Sequence, residues 1–218
     1  MTVPATRPVA VAMTGASGAA YGLRLLECLL AAGEDVYLMV SAPGQVVISM
    51  ETPLKLSGRP AEIQRLLSAH FDARPGQLQV FGREEWTAPV ASGSSVPRAL
   101  VICPCTTGTL SAVACGASNN LIDRAADVVL KEGRKLILVP RETPFSAIHL
   151  ENMLKLARMG ATILPANPGF YHRPESVQDL VDFVVARILD QLEVAHRLSR
   201  RWAEPTGDAP GQLPGEGA

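Results

Sequence analysis

Apolar runs of strand length alternate along this chain with stretches of helical period, and that alternation is what most limits the folds open to it. Residues 9–13, 36–40, 99–103, 136–139 and 162–164 read as strands, the third of them fully buried. Helical segments are expected over 19–31, 63–71, 110–114, 121–131 and 150–159. The last helix is the clearest: Val177, Leu180, Val181, Val184, Val185, Ile188, Leu189 and Leu192 recur at the spacing of one apolar face. Strands that alternate with helices imply a parallel sheet covered on both faces, and right-handed crossovers make it doubly wound. The expected class is therefore α/β, a three-layer sheet of the Rossmann or flavodoxin kind.

In such folds ligands sit at the carboxyl ends of the strands, and the first of these ends runs into Thr14-Gly15-Ala16-Ser17-Gly18-Ala19. Glycines allow a tight turn, and the following helix begins with unpaired N–H groups and a positive dipole end, a place for phosphate. The spacing is not Gly-x-Gly-x-x-Gly, which favours a mononucleotide over a dinucleotide. A plain glycine turn with Ser17 capping the helix reads equally well from this motif alone. Ser41 follows the second strand, placed to cap a helix or meet a ligand. After the third strand, Cys103-Pro104-Cys105-Thr106-Thr107-Gly108-Thr109 supplies a second hydroxyl-rich helix start. No further Cys pair or Cys/His cluster completes a zinc set, so Cys103 and Cys105 read as packed thiols and no metal is expected.

Charged residues lie near the same edge. Arg124 and Lys131 fall on nearly one face of their helix with Asp127 between them at salt-bridge spacing to both, which also describes a solvated charged face. Arg141 and Glu142 follow the fourth strand, and Tyr171 and His172 lie in the loop after the fifth. Arg187 flanks the apolar stripe of the last helix, where it also fits as a snorkelling side chain. Trp86 precedes a Gly/Ser-rich loop that includes Ser92 and Gly93 and is expected to move.

Composition excludes several classes. A formal net charge of -1 gives no basic field for nucleic acid or membrane. No apolar run reaches transmembrane length, and the N-terminus lacks the order of a signal peptide. Four cysteines in 218 residues make no disulfide framework, so the cytoplasm is the expected compartment. Charged residues are only 19%, below the usual quarter, and this fits either a core-rich monomer or a surface covered by other subunits. Residues 1–203 are expected to form one domain, and 204–218, rich in Pro and Gly, a disordered tail.

With these residues in view, the chain resembles the flavin prenyltransferases of the UbiX type. The resemblance runs from about Val9 to Arg201. It rests on 12–18, on Ser92-Gly93-Ser94-Ser95, on 103–109, on Val139-Pro140-Arg141-Glu142-Thr143-Pro144 and on Pro168-Gly169-Phe170-Tyr171. What it implies is FMN held at Gly15, Ala16, Ser17, Ser41, Thr106, Thr107, Gly108, Thr109 and Arg141. Dimethylallyl monophosphate would be held at Tyr171 and Arg187, with Arg124, Lys131 and Glu142 about its phosphate, Ser92 and Gly93 beside it, and Trp86 against the prenyl group. The resemblance further implies a homo-oligomer, commonly a dodecamer, with sites at subunit contacts. Its reaction joins the dimethylallyl group to N5 and C6 of reduced FMN, for use by a partner decarboxylase. Glu142 would then serve as proton donor, Trp86 as cation stabiliser and Lys131 as phosphate clamp.

Two other readings stand beside this one. An FMN-dependent decarboxylase of cysteine-containing substrates shares the fold, but its Pro-x-Met-Asn signature is missing because the chain contains no Met-Asn. A flavin carrier without chemistry needs the glycine and threonine loops and not Glu142, Lys131 or Trp86.

Overall fold

The structure, a computed structural model, describes residues 7–56 and 58–198; the expected tail lies outside them. Six strands form one parallel sheet: β1 (Val9–Met13), β2 (Val36–Val40), β3 (Leu78–Phe81), β4 (Ala99–Cys105), β5 (Lys135–Pro140) and β6 (Thr162–Ile163). Their order is β3-β2-β1-β4-β5-β6. The chain winds outward one way from β1 and the other way from β4, so the winding reverses between these two neighbours. Val9 stands opposite Val36 on one side and Ala99 on the other, in register. Every residue of β1 and β4 is buried, which is why both read as unbroken apolar runs.

Among the described residues seven α-helices cover the sheet: α1 (Ala19–Ala31), α2 (Ala42–Glu51), α3 (Pro60–His70), α4 (Thr107–Ala114), α5 (Leu121–Lys131), α6 (Ala147–Arg158) and α7 (Val177–Leu192). One core cluster joins the sheet to α1, α3 and α7, through residues such as Leu26, Leu67 and Val185. The other joins the opposite face to α4, α5 and α6, through Leu110, Val129 and Leu156. Arg24 of α1 also grips Asp182 of α7 with two hydrogen bonds, of 2.8 and 3.2 Å.

The sequence reading omitted β3 and α2. In β3 only four residues pair, and Gln79 faces out, so no apolar run marks it. In α2 the Pro43-Gly44 pair reads as a break, yet proline is accommodated in a first turn where its N–H has no partner anyway. The helix starts α3, α4 and α6 also lie three residues earlier than expected, since polar caps and a proline precede the apolar positions. Thr106 caps α4, and Ser146 and His149 make a reciprocal cap for α6. β4 continues two residues past Cys103, through Pro104 to Cys105.

Candidate functional site

The carboxyl ends of β1 and β4 are stitched together by Thr14. Its hydroxyl donates to the Pro104 carbonyl at 2.8 Å and accepts from the Thr106 N–H at 2.9 Å. Thr14 is buried, so its hydroxyl is engaged in joining two loops and not in meeting a ligand. Beside it opens a cavity of about 220 Å³ lined by Gly15, Ser41, Thr106 and Thr109, with Arg83, Asn120 and Asp123 across from them. Ser41 caps α2 by accepting from the Gly44 N–H at 3.0 Å. Thr106 accepts from the Thr109 N–H and donates to the Thr109 hydroxyl, at 3.1 and 3.0 Å. At Gly108 an added Cβ would meet nothing nearer than the Thr106 Oγ1 at 3.9 Å, so the start of α4, with Thr107 beside it, offers bare backbone.

The start of α1 is arranged otherwise. Glu51, the last residue of α2, places its carboxylate on the N–H groups of Gly18 and Ala19, at 2.9 and 2.8 Å. The Ser17 hydroxyl donates to it as well, and Arg141 lies close enough to act on its charge. Burial works against that charge, but these donors and the arginine hold the carboxyl below its ordinary value. The positive helix end expected to meet a phosphate therefore meets a carboxylate of the chain itself. Gly15 is pressed against α2, where an added Cβ would run into Pro43, and Ala16 is buried between them.

The remaining predicted residues fall into two groups. On α5, Arg124 donates to the Ala91 carbonyl at 3.1 Å and pairs with Asp127 at 3.0 Å. Lys131 turns to Glu132 and not to Asp127, which corrects the expected bridge. Both Lys131 and Glu132 abut Gly93, next to Ser92, whose hydroxyl bonds Ser94. Arg124, Lys131, Ser92 and Gly93 are thus neighbours. Lys131 also borders an open groove between α4, α5 and α6, together with Lys155.

The second group gathers on α7. Tyr171 packs edge-on against Phe183, with ring centroids 5.8 Å apart, and His172 stacks on the same ring at 5.3 Å. Phe183 and Arg187 line one groove, and Arg187 pairs with Asp190 at 2.7 Å. Tyr171 and Arg187 are therefore near one another but belong to the opposite face of the sheet from Lys131. Trp86 is 48% exposed on the loop after β3, and Glu142, half-buried, accepts from the Thr143 N–H. None of Trp86, Arg124, Lys131, Arg141, Glu142, Tyr171 or Arg187 lines the cavity at Ser41.

Sequence reasoning missed Glu51, Arg83 and Asp123. Asp123 is buried at the start of α5, where Asn120 Nδ2 donates to it at 2.7 Å. Burial pushes its carboxyl up, opposed by hydrogen bonds from Asn119 and Asn120 and by the charge of Arg83. Cys103 and Cys105 are buried in β4, and burial pushes the Cys105 thiol up to about 12. Among the described residues no three His, Cys, Asp or Glu side chains gather as metal ligands, and no helix is long and apolar enough to cross a membrane.

Comparison with known proteins adds three relatives and a family. The family model described as Flavoprotein matches residues 4–189. The flavin prenyltransferase UbiX of Pseudomonas aeruginosa is 60% identical over 196 residues, 90% of this chain and 94% of its own length. The structure of AnUbiX (PadA1) in complex with FMN and dimethylallyl pyrophosphate superposes with a TM-score of 0.81 at 38% identity, covering 92% of this chain and all of that one (100%). A dodecameric FMN-dependent UbiX-like decarboxylase from Escherichia coli O157:H7 superposes with a TM-score of 0.80 at 41% identity, covering 90% of this chain and 100% of its own.

Proposed function

The chain belongs to the flavoprotein family, among its UbiX-type flavin prenyltransferases, and from that premise we propose that it joins a dimethylallyl group from dimethylallyl monophosphate to N5 and C6 of reduced FMN. The observation that carries this reading is the 60% identity to a flavin prenyltransferase across 90% of the chain. The residues present fit FMN. Hydroxyls of Ser41, Thr106 and Thr109 and the Gly15 backbone line one cavity, Gly108 leaves the start of α4 bare, and Ser17 and Arg141 meet at Glu51. Reduced FMN, when bound, supplies the two nucleophilic ring positions.

The chain's own residues supply the rest. Arg124, Lys131 and Arg187 hold the departing phosphate, and charge-assisted bonds from such clamps strengthen as negative charge develops on it. Tyr171 donates a hydroxyl to the same group. Trp86 faces the prenyl group and stabilises its developing positive charge through its π face. Glu142 delivers a proton to the phosphate. Ser92 and Gly93, held against Lys131 and Glu132, shape the wall of the donor pocket.

Lys131 and Arg187 stand on opposite faces of one sheet, so a single phosphate reaches both only when two copies of the chain meet. Exposed apolar side chains on α2 and α6, such as Met50 at 80% and Ile148 at 66%, suit contacts between copies. The assembly is a homo-oligomer, a dodecamer by analogy with the Escherichia coli relative. The prenylated flavin passes to a partner decarboxylase, and the protein works in the cytoplasm as one domain over residues 1–203. No metal is required, so turnover is expected to survive exhaustive chelation.

Mass spectrometry of the flavin tests the reading directly. Pure protein is incubated anaerobically with reduced FMN and with dimethylallyl mono- or diphosphate. A gain of one dimethylallyl unit, absent without donor or protein, is expected. Unaltered FMN with either donor, together with CO₂ release from an aromatic acid, would replace it with a decarboxylase activity like that of the Escherichia coli UbiX-like decarboxylase.

A further inference from the structure

The cavity of about 220 Å³ at Ser41 is smaller than the roughly 300–1,000 Å³ of pockets that bury whole ligands of this size. It therefore takes one end of FMN, and the rest of the molecule extends along the sheet edge. Two ends of the ligand are chemically unlike: a ribityl phosphate carrying two negative charges, and a largely apolar ring system. Two places on the sheet edge are equally unlike. At the start of α1 the N–H groups of Gly18 and Ala19 are already bound by the Glu51 carboxylate, and a second anion there meets that charge. In the cavity, three hydroxyls from two loops converge with no such carboxylate on them.

Among the described residues, Arg83 is the only Lys or Arg side chain that lines this cavity. It is exposed, and it takes part in no ion pair among the described residues. Its backbone is nevertheless fixed, because its carbonyl accepts from the Leu121 N–H at 2.8 Å, tying the loop after β3 to the start of α5. The guanidinium is thus offered on an anchored loop, with Asp123 close enough to feel its charge. Asp123 is the one acid in the lining among the described residues, and its carboxylate is engaged by Asn120. On its other side Arg83 borders a second cavity of about 220 Å³ in which, among the described residues, Gln45 is the one other polar side chain. Among the described residues, the hydroxyls lie on the first side only.

We infer that Arg83 is the charge partner of the FMN phosphate, which is seated among Ser41, Thr106 and Thr109, and that this residue makes the site select FMN over riboflavin. The inference rests on the flavin-binding reading above and adds to it a residue and a direction of binding.

Titration of the flavin-free oligomer with FMN and, separately, with riboflavin tests both layers, in wild type and in Arg83→Gln and Arg83→Lys. If wild type binds neither flavin, the flavin-binding reading itself fails. If it binds FMN, Arg83→Gln is expected to weaken FMN about tenfold to a hundredfold, the worth of a lost charge-assisted bond, with riboflavin changed less than about twofold. Arg83→Lys, which keeps the charge and loses the fork, is expected to fall between. Equal loss for both flavins, or no loss for either, overturns the inference. So does unchanged FMN affinity with a raised KM for dimethylallyl monophosphate, which would assign Arg83 to the donor. Melting curves of the flavin-free variants check folding, and Arg83→Lys carries the test if Arg83→Gln does not fold.

Discussion

Charge is placed in this molecule one residue at a time, and its consequences are sharpest there. Glu51 is held below its ordinary pKa by three donors and by Arg141, so its contribution to stability has a definite sign with pH. A carboxyl with a lowered folded pKa stabilises fully above its unfolded pKa, about 4.3, and that contribution is lost as pH falls through the folded value. Urea unfolding of wild type and Glu51→Gln should therefore differ most at neutral pH, and the gap should close toward pH 3; a gap that persists in acid would sever the link to ionisation. Glu142 carries a different expectation. Glu142→Gln keeps shape and hydrogen bonding but removes the proton, so turnover should drop about 100-fold or more with FMN still bound, measured by single-turnover mass spectrometry. Of the site, the hydroxyl loops at Ser41 and Thr106–Thr109 were legible in the sequence because they directly follow apolar strands. Glu51 was not, since it reaches the start of α1 from 32 residues away, the separation of the two in sequence.

At the scale of elements, the central strands were readable because burial on both faces leaves no polar position to interrupt them. β3 and α2 were hidden for opposite reasons. Gln79 breaks the apolar run of an edge strand, and Pro43 with Gly44 disguises a helix start as a turn. Both hidden elements bring residues of the sheet edge, Arg83 after β3 and Glu51 at the end of α2, so two of the three missed residues were lost with them, while Asp123 was missed on a helix that was read. The packing of α2 yields its own prediction. Gly15→Ala places a methyl against Pro43, whose position is set by the first turn of α2, and neither backbone can yield without moving the helix. Destabilisation of about 1–3 kcal/mol is expected, the usual range for overpacking, read from denaturation of the flavin-free protein. An unchanged midpoint would mean that α2 rides freely on the β1 loop.

For the whole molecule, the decisive feature is the sheet that stands between α5 and α7. Lys131→Met and Arg187→Met should each abolish turnover when expressed alone. Co-expressed, the two chains should recover a fraction of wild-type activity, because some sites then draw an intact Lys131 from one chain and an intact Arg187 from another. No recovery, with mixed oligomers shown to form, would place both residues in one subunit's site. That separation turns abundance into a control. Diluted below its assembly midpoint, the protein should lose rate faster than it loses concentration, so a cell holding few copies would carry folded chains that are catalytically silent, and output would rise with a threshold rather than in proportion to dose.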